Sequence, residues 1–167
     1  MIATARAALH ALLQTDPAFT AEIAALGLAA DDSAVVPGVR SGNRPFAQIH
    51  QSEYPCWIDD AGEQVAAGYG NDASDPAGLV INSTQQDWQG DIELSLVWHQ
   101  QSHARSVAQT DAILPALVRL LLRHPDLGGA CAMAWVASAD TSLGERHPTH
   151  VVHAVIRCVY TISRDTP

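Results

Sequence analysis

Not one lysine occurs among the 167 residues; nine arginines face eighteen aspartates and glutamates, a formal net charge of −9. Gripping nucleic acid needs clustered basic side chains to neutralise phosphates, so a chain without a basic run is a poor direct binder of DNA or RNA. Long apolar runs are missing too, and none approaches the roughly 18 residues of a membrane-spanning helix. The first residues, Met1-Ile2-Ala3-Thr4-Ala5-Arg6, lack the basic-then-apolar pattern of a signal peptide. Cysteine is sparse. Cys56, Cys131 and Cys158 are far apart, odd in number and set among apolar residues. That pattern predicts buried free thiols in a reducing compartment.

Charged residues make up only 16% of the chain and hydrophobic ones 47%, a globular composition that excludes disorder. At this length a single domain, 1–167, is the simplest expectation. So few charges predict a rather apolar surface, which favours a subunit of an assembly over a solitary monomer.

The chain is organised around residues 91–123. Ile92, Leu94, Leu96 and Trp98 alternate with Asp91, Glu93 and Ser95, the period of a half-buried strand. Val107, Ile113, Leu114, Leu117, Val118, Leu120 and Leu121 then recur at helical spacing, and such a helix covers the apolar face of a sheet. Pro115 either kinks this helix or marks a turn before it. Upstream, Ile2, Ala5, Leu9, Leu12 and Leu13 predict an amphipathic helix. Asp16-Pro17 opens a second as cap and first residue, and Gly27 closes it. Val35-Val36 reads as a short extended piece, and Pro55 begins the strand Cys56-Trp57-Ile58.

Residues 59–89 read as a long protruding loop or hairpin, with Asp59-Asp60 as a turn and Leu79-Val80-Ile81 as a small strand within it. Residues 130–137 and 151–162 supply two closing strands, with Cys131, Met133 and Trp135 alternating against small residues in the first. The fold class is α/β in the α+β sense: a mostly antiparallel β-sheet flanked by amphipathic helices.

Chemistry is harder to find. His99 and His103 are four apart, and His147, His150 and His153 three apart. No HExxH context accompanies them, so they read as surface histidines with no metal bound. Gly68-Tyr69-Gly70 lacks the flanking strand and helix of a phosphate loop. GxSxG, Walker and paired-cysteine motifs are absent, so neither enzyme activity nor a cofactor is expected. Trp88, alone among Gln85, Gln86, Asp87 and Gln89, is either a hairpin anchor or an interface residue.

The order of elements carries more information than any motif. An N-terminal helix is followed by Arg44-Pro45, then by Tyr54-Pro55 leading into a short strand, then by the acidic loop. Trp88 opens the alternating strand, a proline-containing helix follows, and the last strand ends near Tyr160. This resembles the tail terminator proteins of long-tailed phages, of the lambda-like type. The stretch 16–34 and the longer segment before Trp88 depart from that pattern.

The resemblance implies a structural protein of the virion, assembled in the host cytoplasm and placed at the head-proximal end of the tail. It implies a homo-hexameric ring that caps the tail tube, ends its polymerisation and offers the surface where the head docks. Its partners would be further copies of itself, the major tail tube protein and a head–tail connector (neck) protein. DNA would pass through the lumen without specific binding, and no membrane is involved. Tyr69, Trp88 and Arg44 are the expected subunit or tube contacts. The alternatives are a neck-completion ring of the same fold and a small histidine-dependent metal enzyme.

Overall fold

The computed structural model describes residues 2–41, 49–60, 65–67, 85–141 and 147–163. Helices α1 (Ile2–Thr15) and α2 (Pro17–Ala25) come first, then strands β1 (Gly38–Ser41), β2 (Cys56–Asp60), β3 (Val65–Ala67) and β4 (Gln85–His99). Helix α3 (His103–Arg123) follows, then β5 (Met133–Asp140) and β6 (Thr149–Ser163). The strands form one sheet in the order β1-β2-β4-β6-β5, with β3 also on β4. Every pairing is antiparallel except β1 with β2. The α+β fold read from the sequence is therefore the fold observed. None of the described helices is long and apolar enough to cross a membrane.

The β4–β6 ladder is the spine, pairing Gln85 with Ser163 at one end and His99 with Thr149 at the other. Because side chains alternate along a strand, one face of this spine is set by Ile92, Leu94, Leu96 and Trp98 from β4. Val152, Ala154, Ile156 and Cys158 from β6 complete it, and all eight are at most 1% exposed. The three helices cover that face with Leu9, Leu13, Phe19, Ile23, Ile113, Leu117 and Leu120. Each such side chain contributes about 1.5–3 kcal/mol on burial. The opposite face carries a smaller cluster, Ile49, Cys56, Ile58 and Val97, beneath Tyr54 and Val151. The strand predicted to be half-buried thus packs on both sides at this end.

The helix boundaries follow local chemistry. Asp16 caps α2, its Oδ1 accepting from the Phe19 amide at 2.7 Å. Gly27, at φ +59°, ends α2, and a Cβ there would lie 2.7 Å from the Asp32 carbonyl oxygen. Ser102 caps α3, which runs unbroken through Pro115 to its C-cap His124. Gly90 lets Ile2 of α1 lie on β4, since a Cβ would stand 3.0 Å from the Ile2 Cδ1.

Three expectations need correcting. The short strand near the start is Gly38–Ser41, past Val35-Val36. Asp59-Asp60 is not a turn but the end of β2, while the antiparallel pairing of β3 with Trp88–Gly90 of β4 agrees with the hairpin alternative for 59–89. Leu79-Val80-Ile81 lies outside the described residues. In β5, Ala134 faces the core at 4% exposure while Met133 is 46% exposed, the reverse of the predicted alternation. Pairing of Ala134 with Cys158 fixes that orientation, and the register shifts between Val136 and Ser138.

Candidate functional site

The sheet ends at β5, and the helix above it runs out of sheet to cover. Leu120 and Leu121 of α3 point down into the core, while Val118 and Leu122 turn outward, 37% and 74% exposed. Below them β5 presents Met133, Trp135 and Val136. Together with Pro125 these residues line an apolar groove of about 170 Å³. Four large apolar side chains are exposed among the described residues, and three of them (Val118, Leu122 and Met133) border this groove. Apolar side chains gathered in this way make the groove the candidate binding face among the described residues. Beyond β5, among the described residues, no strand pairs with its outer edge, which leaves backbone donors and acceptors facing out.

Of the expected contacts, Arg44 and Tyr69 lie outside the described residues. Trp88 sits within β4 opposite Tyr160 of β6 and Ala67 of β3. It is half-buried and packs against the main core. Trp88→Ala is expected to leave the fold intact at a cost of about 2 kcal/mol, read as a lower urea midpoint with an unchanged slope.

Sequence reasoning missed a buried ionic cluster. Asp59, read as a turn residue, is 2% exposed beneath α1. Arg6 Nε lies 2.9 Å and His10 Nε2 3.0 Å from its Oδ2, though neither approach has hydrogen-bond alignment. Residues four apart on a helix share a face, which is the signal that Arg6 and His10 could meet one partner. A second cluster joins helix ends. Asp16 receives Arg123 Nη2 and contacts His124 Nε2, each at 2.8 Å, from the end of α3. Burial works against its charge, but Arg123, His124 and the Phe19 amide outweigh that and hold the carboxyl well below the usual range.

Cys56, Cys131 and Cys158 are buried free thiols. Hydrogen bonding to Cys131 and burial push the Cys158 thiol far up, and burial raises Cys56 against the pull of Arg40. Both are held as neutral thiols, the form that packs as a small hydrophobe rather than the one that attacks. Burial, then the neighbouring Cys158, raises Tyr160 as well. On the open sheet face Arg157 grips Asp91 through two bonds of 2.9 Å, and Ser95 Oγ meets His153 Nδ1 at 3.0 Å.

The histidines are not all on the surface. His150 is 2% exposed, stacked on Trp98 with ring centres 5.6 Å apart, because its pairing opposite Trp98 turns it to the core face. Among the described residues no group of three or more His, Cys, Asp or Glu is placed to hold a metal. No known protein family and no curated protein matches this chain.

Proposed function

We propose that this protein is a structural ring subunit of the tail-terminator kind, capping a phage tail tube and presenting the surface to which the head docks. The observation that carries the reading is the apolar groove at the β5 edge, whose rim residue Leu122 is 74% exposed. A side chain placed there has no role in the subunit's own core; seated against a neighbour it would lose its water. The sheet has distinct edges, β1 and β5, so contact between unlike surfaces of identical copies is heterologous and closes into a ring when the rotation permits. The acidic balance suits a lumen through which DNA passes ungripped. The order of elements, from Tyr54-Pro55 through Trp88 to Tyr160, supports the same family.

The test is the mass of the purified protein across a concentration series, with negative-stain images of large species and a parallel co-expression with a tail tube protein. The expected result is closed rings of about six subunits, alone or on the tube tip. Leu122→Glu, at an exposed position, is expected to keep the fold and weaken ring formation at least tenfold. A monomer in both settings rejects the reading, and so does a compact dimer carrying bound metal.

A further inference from the structure

Where β4 ends and α3 begins, four histidines meet in a corner whose geometry suits the neutral form of the buried one, His150. His99 closes β4, His103 opens α3, and His147 and His150 flank the start of β6. The corner is knitted through two glutamines. Gln100 donates its amide to the Pro148 carbonyl at 2.9 Å, accepts from the Ser102 amide at 2.9 Å and donates Nε2 to Asp32 at 3.2 Å. His150 Nε2 lies 3.1 Å from the Gln100 carbonyl oxygen, and His147 Nε2 lies 3.2 Å from that of Gln101. A carbonyl only accepts, so both Nε2 atoms carry hydrogens.

The other nitrogen of His150 decides the matter. Nδ1 is buried with no partner, and so is Nδ1 of His99. A second proton on His150 would therefore create both a buried charge and a buried N–H with no acceptor. Its neighbours make this worse. The His147 ring stands edge-on with centres 5.8 Å apart, and His103 and His99 also act on it as like charges when protonated. His103 lies in the first turn of α3, where the helix dipole already disfavours positive charge. Asp32 reaches this corner through Gln100 Nε2, and Arg105 engages it at 2.6 Å. Stacking on Trp98 would favour an imidazolium through the ring face, but it supplies no acceptor for Nδ1.

We infer that this corner is an acid-released latch: the neutral His150 imidazole clips the start of β6 to the β4–α3 junction, and its protonation opens the corner. Burial first, then the neighbouring histidines, lowers the His150 pKa against the raising effect of the Gln100 carbonyl. The sign follows from linkage. A histidine whose folded pKa is depressed leaves the closed form holding fewer protons than the open one. Closure is then complete above the ordinary value of about 6.5 and is lost as pH falls through and below it, by up to tenfold per pH unit for each proton taken up.

Amide hydrogen exchange on the full chain at pH 7.5, 6.0 and 5.0, corrected for intrinsic rates, reads the latch directly. The expected result is an opening constant that rises about tenfold per pH unit below 6.5 at Trp98–Ser106 and Thr149–Val152, with no such rise in α1 or β2. His103→Gln combined with His147→Gln changes only exposed positions and removes two repelling neighbours. It is expected to leave the start of opening at about pH 6.5 and to reduce the total rise in the opening constant between pH 7.5 and 5.0. A uniform acid response across the chain, a total rise that the double variant leaves undiminished, or a His150 imidazole titrating at or above 6.5 by NMR each overturns the inference.

Discussion

Leu96→Asp unfolds the subunit. Leu96 is completely buried in the middle of β4, flanked across the ladders by Trp57 and Val152. The substitution removes an apolar side chain contributing about 2–3 kcal/mol and places a carboxylate where no partner is within reach. An unpaired buried polar or charged group costs several kcal/mol more, and a domain of this size holds only about 5–15 kcal/mol in total. Circular dichroism should show loss of the cooperative thermal transition. Leu122→Asp, the same change at a 74% exposed position, should shift stability by no more than about 0.5 kcal/mol. A natively folded Leu96→Asp protein would mean that the helix-covered face of the sheet has been assigned to the wrong side.

The second large effect belongs to a residue that looks unremarkable in the sequence. Gln109, on α3, is 3% exposed and joins three elements. Its Oε1 accepts from Trp98 Nε1 at 2.9 Å, and its Nε2 donates to the carbonyls of Leu26 and Gly27, each at 3.1 Å. Gln109→Leu keeps the volume and strands all three partners, of which Trp98 is fully buried. Leaving a buried donor or acceptor unsatisfied costs about 1–3 kcal/mol each, so a loss of about 3–5 kcal/mol is expected, or roughly 10 °C in melting temperature. The cause is separable from simple packing. In the Trp98→Phe, Gln109→Leu double variant the indole donor is gone, and the combined cost should fall about 1 kcal/mol or more below the sum of the singles. Strict additivity would refute the role given to this hydrogen bond.

These two residues mark the boundary of what a sequence shows. Leu96 was legible because its environment repeats every second residue, and a strand with such a pattern has one way to present it to a core. The same holds for the caps. Asp16 before Pro17, and Gly27 after the last apolar residue of α2, act on backbone groups two or three positions away. Gln109 was not legible. The stripe read from α3 included Val107 and Val118, whereas the buried face carries Ser106, Gln109 and Thr110 in its first half. Those polar residues are buried because they have partners there: Ser106 Oγ bonds the His103 carbonyl, Thr110 Oγ bonds the Ser106 carbonyl, and Gln109 reaches across to another element. Periodicity counts apolar residues and has no means of seeing a satisfied polar one.

The candidate site divides the same way. That the surface would be short of charge was plain from composition. Which apolar residues remain uncovered was not, because Val118, Leu122 and Met133 have the same local spacing as core positions.

The sequence by itself determined the strands β4 and β6, the three helices with the capped ends of α2, and a mostly antiparallel sheet covered by helices. All of these follow from periodicities and turn chemistry spanning a few residues. Only the tertiary structure decided that Asp59 lies in the sheet under Arg6 and His10, that Ala134 rather than Trp135 faces the core, and that His150 is buried against Trp98. It also decided that an apolar groove opens at β5. Each of these depends on which distant segment lies opposite, and a shift of one residue in that register exchanges the buried and exposed sides of a whole strand.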